Sequence, residues 1–217
     1  MTLFTIRGWA VGLTVGLTSA SGFSQQPPTN PVVPASATRP ADGPAELTFE
    51  DQFGRKAELA TLRGFVTVLV YGDRNGTEVC REYGEHLHTL FHPTAKGQPP
   101  EKARQAPVVA LAGVPAGKAS PDVVVVPVAC AGKVPGVVKD IIQSQVKKVS
   151  PSVTVWMDFV GTMEQKYGMR AGDVNLVVVD AAGHVRLKVN GTPDRATGEK
   201  LVQTIQNLRA EAAGLNR

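Results

Sequence analysis

The chain has 217 residues, of which 42% are hydrophobic and 19% are charged, and its formal net charge at neutral pH is +4. This length and apolar content suffice for one hydrophobic core. The excess of positive charge is small and is not gathered into a basic strip with interleaved aromatic residues, which argues against a nucleic-acid partner.

The first 24 residues have the pattern of a secretory signal peptide. Arg7 precedes an uncharged, largely apolar stretch from Gly8 to Ser24 that ends in small residues. The apolar part is shorter than the about 20 residues that cross a bilayer, so cleavage is favoured and a retained anchor is the alternative. We therefore expect a periplasmic or secreted protein with no membrane span after signal cleavage.

Residues 25–45 are predicted to form a disordered tether, because six prolines lie there among Ser, Thr and Ala. Such a segment cannot bury enough apolar surface to offset the entropy cost of ordering it. One folded domain is expected over residues 46–213. Residues 93–121 are rich in Gly, Pro, Gln and charge and are predicted to be an insertion in this domain, with either a strand or a buried loop at residues 108–114.

The folded region is predicted to begin with a hairpin and a central strand. Residues 47–49 and 55–59 flank a polar turn that ends in Gly54. The apolar, β-branched run of residues 65–71 is typical of a strand that is buried on both faces of a sheet.

A turn of Gly, Asp and Asn then opens an amphipathic helix that ends before Pro93. The apolar side chains expected on one face of this helix are Val79, Tyr83, Leu87, Leu90 and Phe91. On the polar face, His88 and His92 are four residues apart, a spacing that can hold a metal ion, but no Cys or carboxylate lies at a matching ligand spacing. A solvated polar face is therefore favoured, and no metal site is predicted.

The second half of the chain alternates predicted strands and helices. The strands are expected at residues 122–130, 153–157, 176–180 and 184–189, and the helices at residues 134–149, 159–167 and 193–213. We expect Val138, Ile141 and Ile142 on the apolar face of the first of these helices, and Thr192 as the N-cap of the last. This order predicts a mixed α/β sheet with helices on both faces.

Cys80 is the residue with an electrostatic case for reactivity. It lies in the first turn of the helix that follows the central strand, where unpaired N–H groups and the helix macrodipole favour a thiolate. The other cysteine, Cys130, ends the next predicted strand. The sequence leaves open whether the two form a disulfide, whether Cys130 is a resolving thiol, or whether it is simply a buried thiol.

Several landmarks in this order resemble the thioredoxin-like fold, in particular its redoxin branch of peroxiredoxins and their relatives. They are Asp51-Gln52-Phe53-Gly54 before the central strand, Trp156-Met157-Asp158 through Lys166-Tyr167-Gly168, and the segment from Val177-Val178-Val179-Asp180 to Gly183-His184-Val185. The resemblance covers residues 46–211 and implies a mixed central sheet with a functional site at the turn before Cys80.

The turn is similar to three known active-site patterns and departs from each of them. Thr77-Glu78-Val79-Cys80 is similar to the Thr-x-x-Cys of peroxiredoxins, which makes Thr77 and Cys80 the catalytic candidates, but Asp73 stands where those proteins have proline. Copper proteins of the Sco type have Cys-x-x-x-Cys here, and Gly76 replaces the first cysteine. Disulfide reductases have Cys-x-x-Cys, and Thr77 replaces the first cysteine.

A further departure lies at Val174, where thioredoxins have a cis-proline and many peroxiredoxins have an arginine. Arg74 and Arg170 are the candidates for the missing positive charge, whereas Glu78 and Glu82 oppose a thiolate.

These departures favour an extracytoplasmic thioredoxin-fold protein with a degenerate redox site and no cofactor, acting as a binding or accessory module with weak or no thiol–disulfide activity. The alternative is a single-cysteine thiol peroxidase or oxidoreductase that uses Cys80. The expected partner is a protein or peptide that pairs with the edge at residues 173–175.

Overall fold

The computed structural model describes residues 43–215, so the predicted signal peptide and nearly all of the predicted tether lie outside the described residues. Its strands are β1 (Thr48–Asp51), β2 (Lys56–Glu58), β3 (Val66–Gly72), β4 (Val123–Cys130), β5 (Trp156–Asp158), β6 (Asn175–Val179) and β7 (Val185–Asn190). Its α-helices are α1 (Thr77–Phe91), α2 (Pro100–Ala103), α3 (Gly136–Val149), α4 (Thr162–Tyr167) and α5 (Arg195–Ala212).

The seven strands form one mixed sheet in the order β2-β1-β5-β4-β3-β6-β7. β3 pairs in parallel with β4 and antiparallel with β6, and β6 pairs antiparallel with β7. The β1–β2 hairpin joins the sheet through β5, which runs parallel to β4. A βαβ unit followed by a ββα unit in one sheet is the thioredoxin-like arrangement, which confirms the predicted fold.

The central strand β3 is buried at all seven positions because both faces of the sheet are covered there. Its alternate side chains point to opposite faces. Val66, Val68 and Val70 join the core that includes buried residues of α1 and α5, whereas Leu69 and Tyr71 join the core that includes Met163 of α4.

The helix α1 ends at Phe91, before Pro93 as predicted, but its two faces differ from the prediction. Leu87 and Phe91 are buried, whereas Val79 is 37% exposed and Leu90 is 41% exposed. The solvated position predicted for His92 is wrong, because this residue is only 3% exposed and its Nε2 lies 2.8 Å from Oδ1 of Asp122.

The insertion contains a 3₁₀ turn at Pro93–Ala95 and the short helix α2. Residues 108–114 form no strand, and Val109 is instead held in a half-buried loop by its N–H, which donates to the carbonyl of Phe91. The guanidinium of Arg209, a fully buried side chain of α5, donates to the carbonyls of Val109 and Pro121. It therefore holds both ends of the segment of residues 109–121.

The other helices also differ in detail from the predictions. The N-cap of α5 is Asp194, whose carboxylate accepts from the N–H of Thr197, so the predicted N-cap Thr192 is wrong. The helix α3 contains no buried residue. None of the helices within residues 43–215 has both the length and the apolar composition of a membrane-crossing segment.

Candidate functional site

The candidate residues meet where β3 ends and the turn of residues 73–76 leads into α1. Cys80 lies in the first turn of α1, and its N–H donates to the carbonyl of Gly76. Cys130 is the last residue of β4, and its neighbour Ala129 pairs with Gly72 at the end of β3. The segment of residues 170–175, which precedes and enters β6, packs against the same turn.

The Cys80 side chain lies between Gly72 and the backbone of Asp173. A Cβ atom on Gly72 would be 2.6 Å from Sγ of Cys80, so the absence of a side chain at Gly72 makes the space for this sulfur. Sγ also lies 3.9 Å from the carbonyl oxygen of Asp173. The thiol is therefore half-buried in contact with a segment that is 93 residues away in the sequence.

This environment favours the thiol over the thiolate. Burial raises the pKa of Cys80 to about 11; the N–H of Asn175 lowers the pKa in part, and the negative charges of Asp173 and Asp73 raise it. Burial is the largest of these effects, and it acts against the thiolate preference predicted from the position of Cys80.

The carboxylate of Asp73 accepts hydrogen bonds from the backbone N–H groups of the turn. Its Oδ1 accepts from the N–H groups of Asn75 at 3.0 Å, Gly76 at 3.0 Å and Gly172 at 3.1 Å. These are donors that a thiolate or another anion at the turn would need. The carboxylate thus fills the anion position itself, and it ties the turn to the segment before β6.

Gly76 is buried and has no room for a side chain. An added Cβ atom would lie 2.8 Å from the carbonyl oxygen of Asp173, 3.0 Å from its nitrogen and 3.2 Å from the carbonyl carbon of Gly172. All three are backbone atoms. The position that holds the first cysteine of Sco-type proteins is therefore closed by the chain itself.

Thr77 and the two arginines are not directed at Cys80. The hydroxyl of Thr77 donates to the carbonyl of Arg74 at 3.0 Å, within the turn, and Arg74 is exposed. The guanidinium of Arg170 lies 3.5 Å from the carboxylate of Asp173. Among the described residues, the charges that shift the pKa of Cys80 are therefore negative.

Cys130 is a second free thiol at this end of the sheet. Burial raises its pKa to about 12, and the negative charges of Asp158 and of an ionised Cys80 raise it further. The two cysteines are thus close enough for the charge on one to oppose ionisation of the other. Neither is part of a disulfide in this structure.

Asn175 organises the site, and the sequence reasoning missed it. Its fully buried amide nitrogen donates to the carbonyls of Tyr71, Arg170 and Asp173, and its oxygen accepts from the N–H groups of Arg170 and Gly191. The signal was a single polar residue at the start of the otherwise apolar strand β6.

The edge at residues 173–175 already makes hydrogen bonds within the chain. The N–H of Val174 donates to Oδ1 of Asp173, and its carbonyl accepts from Gly191. The N–H of Gly172 is bound to Asp73. A peptide that paired at this edge would have to replace these bonds.

Within residues 43–215, no group of three or more His, Cys, Asp or Glu side chains is placed to hold a metal ion. The two ring nitrogens of His92 are engaged by Asp122 at 2.8 Å and by the carbonyl of His88 at 3.1 Å.

No protein-family model and no curated protein matches the chain. Among solved structures, the exposed lipoprotein thioredoxin of Streptococcus pneumoniae is similar, with 18% identity, a TM-score of 0.45, and coverage of 75% of this chain and 99% of that one. A DsbF homologue from Corynebacterium diphtheriae has 16% identity, a TM-score of 0.45, and coverage of 76% and 85%. A secreted thiol-disulfide isomerase from Corynebacterium glutamicum has 13% identity, a TM-score of 0.47, and coverage of 76% and 84%.

The topology of the sheet gives this chain the thioredoxin-like fold, with Cys80 in the first turn of the helix that follows the central strand. The fold by itself assigns no activity, because unrelated functions occur on it.

Proposed function

We propose that this chain is an extracytoplasmic thioredoxin-fold protein that acts as a binding or accessory module, with weak or no thiol–disulfide activity. The observation that supports it is the state of Cys80. Its sulfur is half-buried against the carbonyl of Asp173, and burial raises the pKa of this thiol to about 11, so the thiol form dominates at pH 7. Because the thiolate is the nucleophile in both peroxide reduction and disulfide exchange, such a site is slow in either reaction.

The alternative function is a single-cysteine thiol peroxidase or oxidoreductase. Two observations favour it: the Thr-x-x-Cys spacing of Thr77 and Cys80, and the N–H of Asn175, which lowers the pKa of the Cys80 thiol. A change that removed Asp73 from the turn would favour the thiolate further.

One experiment separates the two functions. The rate of Cys80 alkylation is measured against pH in a Cys130→Ser variant, and a Cys80→Ser variant serves as the matched control that reports Cys130 alone. We expect a midpoint above about pH 10 and labelling that survives brief peroxide treatment. A midpoint below about pH 7.5, with labelling lost after peroxide, would establish the alternative.

The location is tested by the N-terminus of the exported protein. We propose cleavage after Ala20, Gly22 or Ser24. N-terminal sequencing of protein from the periplasm or medium should therefore give Ser21, Phe23 or Gln25 as the first residue. An intact N-terminus in the membrane fraction would instead show a retained anchor.

The partner proposed for this module is a protein or peptide that binds at residues 173–175. Val174→Asp places a charge at a position with 0% exposure, so we expect loss of both stability and partner capture. Unchanged capture in this variant would place the partner elsewhere.

A further inference from the structure

The helix α3 exposes aliphatic side chains that a helix on a sheet would normally bury. Val137 is 75% exposed, Ile141 is 51% exposed and Val149 is 79% exposed. Surface helices generally turn such residues toward the core. This helix therefore presents apolar area that the described domain does not cover.

Polar contacts explain how α3 is held in this orientation. Nζ of Lys139 lies 2.7 Å from Oε1 of Glu50, and the amide of Gln143 donates to the carbonyl of Asp51. The side of α3 that faces β1 is thus fastened by charged and amide groups. The predicted apolar face is turned partly to solvent, with Val138 at 39% exposure.

The exposed apolar residues lie next to positive charge. Lys147 and Lys148 form the last turn of α3 and are exposed, and Asp140 is the helix's acidic residue. The charge of Lys139 is already neutralised by Glu50. The free charge of the helix is therefore positive at its C-terminal end.

An exposed aromatic ring lies beside the basic end of this helix. Phe53, in the turn between β1 and β2, is 39% exposed. Its ring centroid lies 4.9 Å from the guanidinium carbon of Arg55 and 5.3 Å from Nζ of Lys147. The lysine contact places the ring beside the basic end of α3.

We propose that this surface, made of Val137, Ile141, Val149, Phe53, Lys147 and Lys148, docks on an anionic lipid bilayer. Aliphatic and aromatic side chains that project from a helix and a turn can enter the headgroup boundary, while lysines beside them reach the anionic phosphates. Charge complementarity selects the occupant, because the charge at the end of this apolar surface is positive and the surface of an anionic bilayer is negative. The surface goes beyond the proposed function and does not use Cys80.

The test places an environment-sensitive NBD label at position 137 in the full chain. The background carries Cys80→Ser and Cys130→Ser, and Val137→Cys supplies the labelled thiol. The matched control is Ala196→Cys, at an exposed position on α5. Both proteins contain the apolar N-terminal stretch, so only a difference between the two labels reports on α3.

With vesicles that contain about 30% phosphatidylglycerol in phosphatidylcholine, we expect a blue-shifted, several-fold brighter label at position 137 and little change at position 196. Pure phosphatidylcholine or about 0.5 M salt should abolish the response. Lys147→Glu with Lys148→Glu should weaken vesicle binding at the position-137 label by about tenfold or more.

Three results would overturn the proposal. They are an equal response at both labels, a response that survives the two lysine reversals, and a response at position 137 that grows with protein concentration in the absence of vesicles. The last result would assign the surface to a second copy of the chain.

Discussion

The carboxylate of Asp73 shows how a single residue changes the chemistry of the turn. It accepts three N–H groups and brings a negative charge near Cys80. The same atoms stabilise the turn and oppose the thiolate. At the scale of this residue, one carboxylate both fixes the turn and disfavours the Cys80 thiolate.

Replacing Asp73 should make Cys80 easier to ionise. We expect Asp73→Asn to lower the alkylation midpoint of Cys80 by up to about one pH unit, since the charge is lost, and Asp73→Ala to lower it further by freeing the N–H groups. The control is Glu82→Gln, an exposed acid of α1, because the charges that raise the pKa of Cys80 are those of Asp173 and Asp73 and not the predicted one of Glu82. An unchanged midpoint in both Asp73 variants would show that Asp73 does not raise the pKa of Cys80.

Gly76 and Gly198 form a matched pair for testing the closed turn. Gly76→Ala should destabilise the protein by about 2 kcal/mol, because the new Cβ meets backbone atoms of Asp173. The φ of Gly76 is −87°, which any residue adopts, so the loss of stability comes from the steric clash of the new Cβ and not from backbone strain. Gly198→Ala, in α5 with nothing within 4 Å of its Cβ, should stabilise by about 0.5–1 kcal/mol. Urea unfolding of both variants checks the opposite signs.

At the scale of elements, the insertion is attached to α5 and to the end of α1. Arg209 is 0% exposed, and its guanidinium donates to the carbonyls of Val109 and Pro121 and to the side chain of Gln206. His92 adds a contact to Asp122 just before β4. These polar contacts of two buried side chains hold the insertion against the domain in place of an apolar strand.

Arg209→Met should therefore release the insertion. We expect a loss of about 2–4 kcal/mol in the free energy of unfolding, since two half-buried carbonyls lose the buried guanidinium that donates to them. The control, Arg195→Met on the same helix, removes a side chain that is 91% exposed and should change stability by less than about 0.5 kcal/mol. Amide hydrogen exchange should accelerate at Val109 before it does in β3. Equal exchange at the two sites would indicate global unfolding instead.

For the whole molecule, the loss of folding stability at low pH and the loss at high pH come from different groups. Burial raises the pKa of Asp51, Asp122 and Asp173, but their hydrogen bonds and neighbouring cations outweigh burial, so each pKa is lowered overall. Their stabilisation is present above the unfolded pKa of about 3.9 and is lost as pH falls through the lowered folded values. The pKa values of Cys80 and Cys130 are raised, so their contribution is present below about pH 8.5 and is lost as pH rises toward 11 and 12.

Urea unfolding across the pH range tests this separation. We expect stability to fall below about pH 4 and again above about pH 8.5. The variant with Cys80→Ser and Cys130→Ser should lose part of the alkaline decline and keep the acid one. An unchanged alkaline limb would assign that decline to other groups, such as Tyr71, whose pKa burial raises.

The order of strands and helices, the central strand and the turn before Cys80 were determined by the sequence itself, because hydrophobic periodicity and turn residues are local signals. The state of Cys80 was decided only by the tertiary structure, since its burial and its contact with Asp173 join segments 93 residues apart. The same holds for the closure at Gly76 and for the buried His92. Burial and charge act through space, and periodicity along the chain does not encode which distant backbone will cover a given side chain.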